Sequence, residues 1–104
     1  MGKVIWTQPA LDDLKNIVSY IAEDSPTYAE DFGLQLVDAS MRLGEHPRMG
    51  RVVPELHSEG IRELIRGNYR IIYQVGGDVA YIVAVIHANR DIIRHLDPGE
   101  WDLG

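Results

Sequence analysis

The chain has 104 residues, 45% of them apolar, with no cysteine and a formal net charge of −6. That size and composition fit one globular domain over 1–104, and the absence of cysteine excludes a disulfide framework, a thiolate nucleophile and a cysteine-held metal cluster. The longest apolar run, Val79 to Ile86, is eight residues, far below the ~20 that a spanning helix needs. The N-terminus enters Lys3-Val4-Ile5-Trp6 with no signal-peptide core, so a cytoplasmic protein with no membrane partner is expected.

Lys3–Trp6 reads as a short strand, and Thr7 as the cap of a helix with Pro9 in its first turn. Ala10, Leu14, Ile17, Val18 and Ile21 recur at helical spacing, with Asp12, Asp13, Lys15 and Asn16 on the other side. Ser25-Pro26 restarts a helix, with Ser25 as N-cap and Pro26 at its first position. Its inner face is Ala29, Phe32, Leu36, Ala39, Ser40 and Leu43, and Gly44 and Pro47 end it. So short a connection predicts an antiparallel αα-hairpin. The stretch from Glu45 to Gly60, broken by Pro47, Gly50, Pro54 and Gly60, reads as loop.

The period then changes to two. Ile61–Ile65, Tyr69–Val75 and Val79–His87 are β-branched and aromatic runs separated by glycine-containing turns, which predicts an antiparallel three-strand meander. A two-residue turn at Gly76-Gly77 sets Gln74 opposite Val79, Ile72 opposite Tyr81 and Arg70 opposite Val83. Opposed residues share a face. Tyr69, Ile71, Tyr73 and Val75 then join Ala80, Ile82, Ala84 and Ile86 on an apolar face, expected against Leu14, Ile17, Ile21, Phe32 and Leu36. Arg70, Ile72, Gln74, Val79, Tyr81, Val83, Val85 and His87 form the mixed outer face. For the first hairpin, a two-residue turn at Gly67-Asn68 would turn Leu64 inward. A three-residue turn with a bulge is favoured instead, because it turns Ile61 and Ile65 inward. It also puts Arg62 outward beside Arg70, and Glu63 inward near a sheet edge. The expected class is therefore α+β: a short strand, an αα-hairpin and a meander, with the helices on one face of a mostly antiparallel sheet.

Charge is uneven along the chain. Residues 1–45 carry a net −5, residues 46–96 a net +2 and residues 97–104 a net −3. All seven cations of the middle stretch are arginines, whose planar forks suit carboxylate or phosphate. His46 and His57 lie in the loop without ligand spacing, so no metal or other cofactor is expected. Trp101, in the acidic tail, reads as a residue packing against the fold.

This pattern resembles the RelE/ParE superfamily, the toxin halves of type II toxin–antitoxin modules, also described as plasmid stabilisation proteins. The residues that carry the resemblance are Ala10, Asp13, Leu14, Ile17, Tyr20-Ile21, His46-Pro47, Gly50-Arg51 and Arg62-Glu63-Leu64. They continue through Tyr69-Arg70-Ile71-Ile72-Tyr73-Gln74-Val75 and Val85-Ile86-His87-Ala88-Asn89-Arg90-Asp91, and cover about nine-tenths of the chain. The resemblance implies a toxin neutralised by a cognate antitoxin, with DNA gyrase or the ribosome and its mRNA as target. RelE-like members cleave mRNA on the ribosome without metal; ParE-like members poison gyrase. Arg70 and Arg90 match phosphate-contacting positions, and Arg62 falls near a lysine of the same cleft. His87 is expected on the Arg70 face, where its pKa suits proton transfer. Arg70, His87 and Arg90 are thus the catalytic set of the nuclease reading. Leu96 stands where nucleases of the family carry a tyrosine, with His95 one residue off. The ending Arg90…Arg94…Leu96 is closer to the ParE-like one. The expected function is gyrase inhibition, with the ribosome-dependent endoribonuclease and a non-toxic antitoxin-binding module as alternatives. Arg62, Arg70, Tyr81, Arg90 and Arg94 are the candidates for target or antitoxin binding. Val79, Tyr81 and Val83 are the expected anchor points for an antitoxin segment.

Overall fold

Thr7 sits where strand β1 (Lys3–Trp6) turns into helix α1 (Gln8–Ala22). The computed structural model describes residues 2–90 and 92. The Thr7 hydroxyl makes no cap to its own helix; it donates to the Ile82 carbonyl at 2.7 Å and ties the helix start to the sheet. Ser25 does cap helix α2 (Pro26–Met41), accepting from the Tyr28 amide at 3.3 Å, with Pro26 just inside. A 3₁₀ turn at Arg42–Gly44 extends α2 and buries Leu43. All six residues expected on the α2 inner face are buried.

Among the described residues the sheet has five strands, in the order β1-β5-β4-β3-β2. Strand β2 (Arg51–Val52) is a two-residue piece of the stretch read as loop, recruited antiparallel to β3 (Ile61–Arg66). Strands β4 (Tyr69–Gly76) and β5 (Val79–His87) continue the meander, and β1 runs parallel to β5. The α+β class and its helix-covered face hold.

Both hairpin registers need correction. The β4–β5 loop is Gly77-Asp78, one residue later than expected, with Gly76 paired to Val79. Of Gly76 and Gly77 only Gly77 takes a positive φ, 63°, so one glycine is enough and Gly76 stays in the strand. A bulge opposite Ile72/Tyr73 leaves Val83 unmatched. Each bulge reverses the faces beyond it. Ala80 and Ile82 face the helices as expected, but Val85 then turns inward, and Ala84 and Ile86 turn outward.

The β3–β4 loop is the two-residue Gly67-Asn68, so Leu64 pairs with Ile71 and faces the helices. Ile61, Glu63 and Ile65 consequently point outward, and Arg62 shares the Tyr73 face. The favoured three-residue turn assumed a single core. The described residues form two. The helix-side core holds Ala10, Phe32, Leu36, Leu64, Ile71, Tyr73, Ile82 and Val85. The outer core holds Val53, Ile61, Ile72, Val83, Ala84, Ile86 and Ile92, with Leu56 and Tyr81 against it. The segment after β2 folds back over the sheet, and this gives Ile61 a buried place on the side that was expected to be open.

Candidate functional site

Arg70 lies near the start of β4 on the outer face, opposite Ile86 and beside Ile65. Its side chain is only 7% exposed. A buried cation needs counterions, and two carboxylates supply them. Glu63, on the neighbouring strand and wholly buried, accepts from Arg70 Nε with one oxygen and from Arg51 Nε with the other. Glu55, from the segment after β2, takes the end of the guanidinium fork: Nη1 to Oε2 at 2.8 Å and Nη2 to Oε1 at 2.9 Å. Bidentate pairing of this kind is the strong form of a charge-assisted bond. The Glu55 carboxyl is held below its usual pKa, first by that bond to Arg70. The Arg70 guanidinium is held above its own, with Glu55 the largest cause.

Arg62 is a clip. Its Nη1 donates to the Gly50 carbonyl at 2.9 Å and its Nε to the Glu59 carbonyl at 3.0 Å, pinning two loop segments to β3. Beside it the Gly50 amide donates to the Tyr73 hydroxyl at 3.0 Å, and burial pushes the Tyr73 phenol up.

His87 is not on the Arg70 face. The bulge and the later turn pair it with Tyr69, whose ring it meets edge-on at 5.3 Å. There it lines a cleft of about 360 Å³ between α1 and the end of β5, with Asp13, Asn16, Tyr20, Tyr69 and Arg90. The first three sit on one face of α1 by helical spacing. Asp13 also accepts from the Val85 amide at 3.0 Å and braces the sheet end against the helix. The structure thus brings His87 and Arg90 together and keeps Arg70 apart from them, under the opposite core. Tyr81 is half-buried at the rim of the outer core, Val79 is half-buried and Val83 is buried, so Val83 is not open to a partner. Arg94, His95, Leu96 and Trp101 lie outside the described residues. No group of His, Cys, Asp or Glu among the described residues is placed to hold a metal ion. No described helix is long and apolar enough to cross a membrane.

Two residues central to this arrangement carried no local signal. Glu55 lies fifteen positions from Arg70 in a segment without period. Arg51 meets Glu63 only because β2 pairs with β3.

A family profile described as the ParE toxin of the type II toxin–antitoxin system parDE matches residues 4–92. The chain belongs to this family of type II toxin–antitoxin toxins. It is 38% identical over 91 residues to Toxin RelE2 of Caulobacter vibrioides, covering 86% of this chain and 99% of that one. Its fold matches the chromosomal ParDE system of P. aeruginosa with a TM-score of 0.70, at 23% identity over 86% of this chain and 98% of that one. It also matches the toxin–antitoxin complex RelBE2 of Mycobacterium tuberculosis with a TM-score of 0.60, at 22% identity over 83% and 96%.

Proposed function

We propose that this toxin acts by binding its target rather than by cutting RNA, that the target is DNA gyrase, and that a cognate antitoxin holds it inactive in the cytoplasm. The carrying observation is the separation of the expected catalytic set. In the nuclease reading Arg70, His87 and Arg90 must all converge on one phosphate, to move the proton and neutralise the charge. Arg70 has its fork closed by Glu55 and its Nε on Glu63, while His87 sits on the other face of the sheet. A net charge of −6 further disfavours docking on a phosphate-rich surface. Family membership and the likeness to ParDE and RelBE2 complexes support an antitoxin partner. On this reading the exposed Arg90, with Arg94, carries target contact, and Tyr81 contributes to the antitoxin contact. Arg62 serves that surface by holding the Arg48–Gly50 loop in place.

The second reading is the ribosome-dependent endoribonuclease, and the name of the RelE2 relative is the observation in its favour. Induction of the free chain in cells separates the two. Gyrase-linked DNA breaks with a DNA-damage response, abolished by Arg90→Ala and unaccompanied by codon-phased mRNA cuts, are expected. Codon-phased cuts that disappear in Arg70→Lys would establish the nuclease instead. Neither response, with the antitoxin still co-purifying, would mark an antitoxin-binding module without toxicity.

A further inference from the structure

We infer that Glu55 is a displaceable internal counterion, and that the Arg70 fork beneath it is a receptor for one acidic side chain of a polypeptide partner. The two carboxylates on Arg70 are unequal. Glu63 is 0% exposed at its side chain and is shared by Arg51 and Arg70, so its departure would break two ion pairs at once. Glu55 is 35% exposed at its side chain, and its ion pair among the described residues is with Arg70. It also rides on the segment that carries His57, whose φ of 49° is a left-handed conformation that a residue with a Cβ rarely adopts.

Exchange at this position conserves the bonding. An incoming carboxylate makes the same two parallel N–H···O bonds that Glu55 gives up, and Glu55 returns to water from a place already open to it. With Glu55 swung out, Arg51, Arg70 and Glu63 leave a surplus of one positive charge beside the outer core, on which Val53 and Leu56 pack. One carboxylate with apolar neighbours satisfies that surplus. The chemistry is that of the segment already there, Val53-Pro54-Glu55-Leu56, in which Val53 and Leu56 pack on the outer core either side of the acid. A polyanion fits less well, because the surplus is a single charge and the whole chain carries −6.

This inference goes beyond the toxin reading and is tested without any measurement of toxicity. The probe is the acetylated and amidated peptide of residues 53–56, titrated into the full chain while the Arg70 Nε–Hε resonance is followed. Removing a competitor that occupies the site raises apparent affinity by the fraction it had closed. The Glu55→Gln chain is expected to respond at a concentration at least about tenfold below wild type, and a peptide with glutamine in place of its glutamate is expected to give no shift. Glu55→Asp, which keeps the charge but shortens the reach, should fall between the two and covers the case in which Glu55→Gln does not fold. An equal response of wild type and variants would overturn the gate. Silence of the folded variants, or a shift with inorganic phosphate and none with the peptide, would overturn the receptor.

Discussion

Arg70 shows how a side chain that looks exposed can be an interior one. A lone arginine in a strand, two residues after a turn, offers no hint of two carboxylates around it. Removing one member of a buried pair is costly because the other is left charged and unpaired, typically by about 3–5 kcal/mol. Arg70→Met should therefore destabilise the fold by about that amount in urea unfolding, since Glu63 keeps only the more exposed Arg51. The double variant Arg70→Met with Glu63→Met should recover much of the loss, because apolar replacements of a whole pair are often neutral. Equal losses in single and double variants would mean that the pair is not coupled. Tyr73→Phe is a second case. It removes the acceptor of the buried Gly50 amide, and an unsatisfied buried donor costs about 1–3 kcal/mol. A midpoint unchanged within error would show that another group takes up that amide.

At the scale of elements, the bulge in β5 and the fold-back after β2 carry the organisation. Ile82, before the bulge, is fully buried against the helices. Its truncation to alanine should cost about 2–5 kcal/mol, measurable as a lower denaturation midpoint. Gly50 marks where the Arg48–Gly50 loop crosses the sheet. A Cβ there would lie 2.5 Å from the Glu63 carbonyl and 2.6 Å from the Tyr73 hydroxyl. Both are held by β-pairing or burial, so Gly50→Ala has to move the loop, at a cost of about 1–3 kcal/mol. Thermal denaturation of that variant checks the crossing; wild-type stability would contradict it.

The whole molecule is a sheet with a core on each side, one under the helices and one under the segment pinned by Glu55. That pin makes stability depend on acid. The Glu55 carboxyl titrates below its ordinary value in the fold. Its contribution is complete above the unfolded pKa, about 4.3, and is lost as pH falls through the lower folded value. Between about pH 5 and pH 3 the wild type should lose stability more steeply than Glu55→Gln. Parallel curves in urea unfolding across that range would show that the pin adds nothing.

Much of the architecture was already determined by local chemistry. Ser25-Pro26 starts a helix because the hydroxyl and the ring satisfy its first turn, and the spacing of Phe32, Leu36 and Leu43 selects the buried side. Alternation in Tyr69–Val75 gave β4 its faces correctly, and the run of matching motifs pointed to the toxin family. Strand β5 was different. From Val79 to Ile86 every residue is apolar or aromatic, so no polar contrast marks where a bulge reverses the faces, and His87 was placed on the wrong side. Glu63 looked like a misfit in a single-core fold. It became a buried counterion only when β2 brought Arg51 alongside and the segment after it brought Glu55 to Arg70. Local propensity decides elements one at a time. The second core and the closure of Arg70 depend on contacts between residues twelve and fifteen positions apart, whose pairing energy exists only after the chain has folded back.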